Sequence, residues 1–280
     1  MSILAIQELT TLPERLRKWV PQCANPACAR QPWQRVISRR MAGVAISDRW
    51  LCSPDCFQEA ALLRIRDLLA SRRKSDQAPS LRMPLGLLLL SREVLSPEQL
   101  KLALDQQRST GASIGDVVQE LGFATPEQVT AAVAAQWACP VFSLDGRALP
   151  TQIHIPRRLL EIYEMLPVHF AETGRKLLMG FVSRVQHHML RTIEEMSSCV
   201  STPCFITGRQ YRQHLNAVIL KTRNDEIVFD RVTPMAEMAR VVRNYVDQAA
   251  AEEVRFGLCR EYLWSRIRGR QIELDLLFRV

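Results

Sequence analysis

The chain has 280 residues, 47% hydrophobic and 24% charged, with 37 basic against 29 acidic side chains and a net charge of +8. This is the composition of a globular chain long enough for two or three small domains, and it excludes intrinsic disorder and collagen-like structure. The densest apolar run, Pro84 to Leu90, is seven residues long. A bilayer crossing needs roughly eighteen, so no transmembrane segment is expected. Glu8, Glu14, Arg15, Arg17 and Lys18 come too early for a signal peptide, and a cytoplasmic location is expected.

The positive excess is uneven. Residues 1–80 carry 13 basic and 7 acidic groups and residues 81–150 carry 5 and 7, which places the surplus toward the amino terminus. Such an excess suits nucleic acid, an anionic membrane surface or an acidic protein, and composition does not choose among them; a solvated surface is the plainer account. Eight cysteines in a reducing compartment do not build a disulfide framework, so their spacing is read first for metal ligation.

In chain order, the first element is a metal knuckle. Cys23 with Cys28 and Cys52 with Cys56 form two close pairs separated by 23 residues. Zinc takes four soft ligands in a tetrahedron, which two short cysteine loops supply; unpaired or redox-active thiols are the competing reading. Pro26 marks a tight turn in the first pair, and residues 35–46 read as a hairpin turning near Met41-Ala42-Gly43. Ser53 is a helix cap, Pro54 suits the first helical position and Asp55 the positive end of the helix dipole, so Cys56 falls in a first turn that favours its thiolate. Phe57, Leu62, Leu63, Ile65, Leu68 and Leu69 give this helix an apolar side. The run Cys52-Ser53-Pro54-Asp55-Cys56-Phe57 resembles the second knuckle of treble-clef zinc modules of the TRASH or MYM type, although four residues stand inside the first pair where two are commoner. Four thiolates close the coordination sphere, which makes the zinc structural and leaves no position for water.

Residues 71–81, polar, basic and proline-terminated, read as a linker. Beyond them the sequence repeats itself at an offset of 29 residues. Leu85 falls on Ile114, Gly86 on Gly115, Leu89 on Val118, Ser96-Pro97-Glu98-Gln99-Leu100 on Thr125-Pro126-Glu127-Gln128-Val129, Leu104 on Val133 and Gln107 on Gln136. Ser96 and Thr125 are helix caps, Pro97 and Pro126 first-turn residues, and Gln99 and Gln128 close capping boxes. Each copy therefore reads as a short helix, a turn and a longer helix. The two glycines permit close approach of a backbone or a ligand.

This duplicated pattern resembles the amino-terminal domain of type II secretion and type IV pilus assembly ATPases, including the MshEN form that binds cyclic di-GMP. The family motif runs Arg-Leu-Gly, three leucines at helical spacing, then Gln, in two copies five residues apart; here residues 108–112 are the spacer. Ile155-Pro156, Tyr163 to Val168, Gly174 to Val182 and Thr202 to Thr207 look like the family's α/β portion, so the resemblance covers about residues 82–220. It implies that a two-fold symmetric dinucleotide would be lined by Leu85, Gly86, Leu89, Leu100, Leu104, Gln107, Ile114, Gly115, Val118, Val129, Val133 and Gln136. The motif arginine is replaced by Pro84 and Ser113. A charge-assisted hydrogen bond contributes roughly 1.5–3 kcal/mol, so losing two weakens such binding by roughly a hundred- to ten-thousandfold. Arg82 and Arg108 lie nearby as substitutes, and a packed helical pair without ligand is the competing reading.

Downstream, strands are expected at 164–168, 177–182 and 204–207 and helices at 184–197 and 209–220, with Cys204 a buried strand thiol. The five histidines show no ligand spacing. From Met235 the chain resembles, more weakly, the next region of those ATPases: a helix at 238–251, then strands at 254–259, 262–267 and 272–278. No Gly-Lys dipeptide occurs, so no phosphate-binding loop is present in this sequence, and no Gly-x-Ser-x-Gly, HExxH or GxGxxG fingerprint is found.

The resulting expectation is an α+β multidomain chain. A treble-clef-like zinc module spans 1–70, a linker 71–81, the secretion-ATPase-like domain 82–220 (duplicated motif 84–136, α/β part 140–220) and a degenerate α/β tail 221–280. Its function is expected to be non-enzymatic and regulatory or adaptor-like in a type II secretion or type IV pilus-like system, with inner-membrane platform proteins or the secretion ATPase as partners and cyclic di-GMP as a ligand. A zinc-finger nucleic-acid binder and a ligand-free interaction module are the alternatives.

Overall fold

A computed structural model of the chain describes residues 21–31, 34–35, 43–75, 82–221, 225–270 and 272–280. It is an α+β multidomain structure made of two compact units, one joining Met1–Asp76 to Asn224–Val280 and the other formed by Gln77–Arg223. The tail is therefore built together with the cysteine-bearing segment, and not as the separate carboxy-terminal piece that chain order implied.

The first unit begins from a helix cap. Ser53 Oγ accepts the Cys56 N–H at 3.2 Å and the Ser53 carbonyl accepts the Phe57 N–H at 2.9 Å, which opens helix α1, Pro54–Ser75. Phe57, Ala61 and Ile65 recur at steps of four and are buried, as are Met238, Val242 and Val246 on the later helix Met235–Gln248. These two apolar stripes meet in one core with the sheet strands. Arg243 fastens the helices at their edge, donating to Gln58 Oε1 at 2.9 Å and lying 3.2 Å from Asp55 Oδ1.

The sheet under them takes strands from both chain ends. Its strands are β1 (Val44–Ile46), β2 (Arg49–Leu51), β6 (Asp225–Phe229), β7 (Glu253–Cys259), β8 (Tyr262–Arg268) and β9 (Glu273–Arg279), in the order β2-β1-β7-β8-β9-β6. β1 runs parallel to β7, pairing Ala45 with Glu253 and Ile46 with Val254, and so stitches the two ends together. β7, β8 and β9 form an antiparallel meander. Alternation along β8 sends Leu263 and Ile267 into the shared core, with Trp264 and Arg266 on the opposite face. There Arg266 grips Asp275 as a fork, Nε to Oδ1 at 2.8 Å and Nη2 to Oδ2 at 2.9 Å, while Trp264 Nε1 donates to Oδ1 at 2.7 Å.

Two local expectations change. Val44–Ile46, the end of the expected 35–46 hairpin, pairs instead with Arg49–Leu51 around a turn at Ser47-Asp48, with Ser47 at φ 54°. A side chain on Gly43 would collide with the Trp50 indole, so this glycine serves close packing. Residues 36–42 of the expected hairpin lie outside the described residues. Residues 71–75 of the expected linker continue α1, and 76–81 lie outside the described residues.

The second unit holds helices α2 (Leu85–Ser91), α3 (Pro97–Thr110), α4 (Ile114–Glu120) and α5 (Pro126–Gln136), followed by α6 (Arg157–Ile162), α7 (His187–Ser197) and α8 (Gly208–Lys221), with α9 being the Met235–Gln248 helix of the first unit. Its three-stranded sheet has the order β3 (Met165–Ala171), β4 (Lys176–Phe181), β5 (Val200–Phe205), antiparallel then parallel. Phe142 N–H donates to the Phe205 carbonyl at 2.8 Å, so the segment after α5 extends this sheet. Cys204 is buried, and burial pushes its thiol up to about 12, as expected of a core thiol.

Removing Asp275 would leave the buried Arg266 guanidinium without its forked partner. Asp275→Ala is expected to lower stability by about 3–5 kcal/mol, read as an earlier urea transition of the intact chain.

Candidate functional site

The four cysteines of the two pairs come together. The Sγ atoms of Cys23, Cys28, Cys52 and Cys56 all lie within 4.8 Å of one another, and this is the one such group of metal-ligating side chains among the described residues. Cys28 and Cys52 sulfurs stand 3.5 Å apart and those of Cys52 and Cys56 3.9 Å, too far for a disulfide. They match the edge of a tetrahedron, about 3.8 Å for zinc–sulfur bonds of about 2.3 Å. Each ligand is placed by a different device. Ala24 N–H donates to the Trp50 carbonyl at 2.8 Å, holding the first knuckle against β2. Cys52 follows β2, and Cys56 rides on the first turn of α1.

The electrostatics fit a cation at the centre. Burial pushes Cys52 up, and so do the Cys28 and Cys23 sulfurs beside it. Cys56 is also pushed up by burial, against opposing hydrogen bonds from Ser53 and Asn25. At Cys28 burial is outweighed by the Arg30 backbone N–H and the neighbouring thiols, which bring it down to about 7. Crowded thiols resist collective ionisation because the thiolates repel, and a divalent cation among them removes that repulsion. The donor set can therefore hold a metal ion.

The duplicated motif makes a second constellation. Both predicted capping boxes are present: Ser96 Oγ accepts from Gln99 N–H and Gln99 Oε1 from Ser96 N–H, and Thr125 and Gln128 do the same. What the sequence did not show is that the copies exchange partners. The short helix α2 of the first copy packs on the long helix α5 of the second, and α4 of the second on α3 of the first. A methyl group on Gly86 would lie 3.9 Å from Ile114 Cγ1, and one on Gly115 would lie 3.5 Å from Leu85 Cδ2, the equivalent contact in reverse. Gln107 Nε2 donates to the Ala112 carbonyl at 3.1 Å, at the entrance to the second copy. Gln136 Nε2 donates to the Met83 carbonyl at 2.6 Å, at the entrance to the first. Positions 83 and 112 are themselves one offset apart, so the latch is reciprocal.

Leu85, Gly86, Leu100, Ile114, Gly115 and Val129 thus surround one pseudo-two-fold centre. Leu89, Val118 and Val133 are buried, and Leu104 is exposed where its counterpart Val133, on the helix that packs on β5, is covered. Of the residues at the motif arginine positions, Pro84 precedes α2, and Ser113 caps α4, with its hydroxyl bonded to Asp116. The two nearby arginines are engaged: the Arg82 guanidinium lies 3.4 Å over the Trp137 ring, and Arg108 pairs with Asp105 at 3.0 Å. Cys139, Cys199 and Cys204 join no ligand cluster among the described residues, nor do the histidines.

Two residues of the cysteine site escaped the sequence reading. Asn25 is buried, its Oδ1 accepting the Ala27 N–H at 3.0 Å and its Nδ2 donating to Glu59 Oε2 at 2.7 Å. The Asn25-Pro26 dipeptide was the available signal, since asparagine before proline favours such a side-chain turn.

No family model and no curated protein matches the chain. Among solved structures it is similar to one of MshE with cdg, at 20% identity over 49% of this chain and 99% of that one, with a TM-score of 0.42. It is also similar to two crystal structures of the N-terminal domain of XpsE, at 14% and 15% identity. Each covers 52% of this chain, with 98% and 99% of those chains covered and TM-scores of 0.37 and 0.28. About half of the chain has its structural likeness there. No helix among the described residues is long and apolar enough to cross a membrane.

Chelation of any metal held by the four sulfurs, or the substitution Cys52→Ser, is expected to raise amide exchange in β7–β9 as well as in α1, because the cysteines share one core with those strands; residues 82–217 should keep their protection. Gln136→Ala is expected to cost up to about 1 kcal/mol and to loosen residues 83–91 of the opposite copy, and Gln107→Ala to loosen 112–120, both read by hydrogen exchange.

Proposed function

We propose that this chain is a non-enzymatic regulatory or adaptor module of a type II secretion or type IV pilus-like system, with a structural zinc ion in one unit and a recognition surface for a two-fold symmetric ligand in the other. The reciprocal exchange of the two motif copies carries this reading. It sets two like half-sites around a single centre, the geometry that suits a symmetric dinucleotide or a symmetric protein contact. Recognition by such a pair needs no covalent chemistry: a ligand or partner that favours one arrangement of the copies shifts their population. Zinc suits the four-sulfur cradle because thiolates are soft ligands and four of them close a tetrahedron.

The probe of choice is cyclic di-GMP, the dinucleotide bound in the MshE structure. Pro84 and Ser113 offer it no guanidinium, so the affinity should be low and should respond to restored arginines. Calorimetric titration of the full chain is expected to show weak, saturable binding of one dinucleotide, and Pro84→Arg with Ser113→Arg to tighten it by roughly a hundredfold or more. If neither protein binds at high micromolar ligand, the dinucleotide reading is overturned and protein contact remains the role of the pair.

A further inference from the structure

The cysteine site has an outer layer that the four ligands alone do not reveal. Asn25 stands inside the first knuckle between Cys23 and Cys28, and it is only 5% exposed. A buried amide must spend its hydrogen-bonding groups, because leaving them unmade costs more than making them gains. The partners of Asn25 all belong to the cradle. Its Oδ1 accepts the Ala27 N–H at 3.0 Å, closing the turn, and its backbone carbonyl accepts the Cys28 N–H at 3.1 Å, which places that ligand. Its Nδ2 donates to Glu59 Oε2 at 2.7 Å. Glu59 stands three residues beyond Cys56 on α1, so this bond reaches the helical turn that carries a ligand.

We infer that Asn25 and Glu59 are a positioning pair for the four-cysteine metal site, joining the first knuckle to the turn of α1 that carries Cys56. The inference rests on the metal reading of the four cysteines and adds to it. A two-part site has to keep its halves in register. The first half sits on a loop and the second on a helix start, and the Asn25 side chain bonds both the knuckle turn and the helix carboxylate. Partners that hold metal ligands in place in this way typically change metal affinity by about 10–100-fold.

The test uses the full chain loaded with zinc or with cobalt(II), whose thiolate-to-metal charge-transfer band reports directly on the sulfurs. Asn25→Asp keeps the size and the acceptor for Ala27 but loses the N–H donor to Glu59, and Glu59→Ala removes the helix anchor without touching the turn. Competition against a chromophoric chelator is expected to show zinc affinity reduced about 10- to 100-fold in Asn25→Asp and reduced also in Glu59→Ala. The cobalt band should shift in Asn25→Asp, and Cys56 should be alkylated faster in the loaded variant. Rescue of chelator resistance by Glu59→Gln, which retains an acceptor oxygen, separates the hydrogen bond from general packing. Wild-type zinc affinity together with an unchanged cobalt band in Asn25→Asp would overturn the positioning role while leaving the metal site standing. A wild-type chain that takes up neither metal would overturn both.

Discussion

The structure depends on the burial of one face of α1. This helix starts at a cysteine knuckle too small to have a core of its own, and its Phe57, Ala61 and Ile65 need a partner surface. The partner is the other end of the chain: Met238 and Val242 of α9, and the inward residues of β7 to β9. Burying a large apolar side chain contributes roughly 1.5–3 kcal/mol, far more than an exposed ion pair such as Arg243 with Asp55, so apolar packing and the β1–β7 pairing decide that the two ends form one unit. The remaining 77–223 is then a continuous second unit inserted between them in sequence.

A metal placed at the four sulfurs would act on that shared core and not on a detached finger. Cys52 and Cys56 are themselves buried members of the cluster that contains Val254 and Phe278. Holding their thiolates together therefore holds the start of α1, and α1 holds the sheet. Asn25 extends the same logic outward by linking the first knuckle to Glu59 on the helix. The fork between Arg266 and Asp275 on the other sheet face adds orientation more than net energy, since desolvating two charges offsets most of their attraction.

In the second unit the duplicated motif is consistent at every level. Capping boxes start both long helices, glycines let the short helices approach, and glutamines latch the copies to each other. The two halves differ where their surroundings differ. α5 packs on β5 and its Val133 is buried, while Leu104, the equivalent position of α3, is exposed.

Much of this was legible in the sequence because it is local. Cysteine spacing, Ser-Pro-Asp and Ser/Thr-Pro-Glu-Gln caps, and a 29-residue self-similarity each act within a turn or two of the backbone, and the elements they start appear where the residues placed them. The tail strands, expected at 254–259, 262–267 and 272–278, stand at Glu253–Cys259, Tyr262–Arg268 and Glu273–Arg279. The tertiary structure alone decided the pairings between distant segments: β1 with β7, α1 with α9, short helix of one copy with long helix of the other, and Asn25 with Glu59. Such contacts are chosen by complementary apolar faces and by the need to satisfy buried polar groups. An apolar stripe read from sequence shows that a face must be covered, but the covering surface is selected only when the whole chain competes for it.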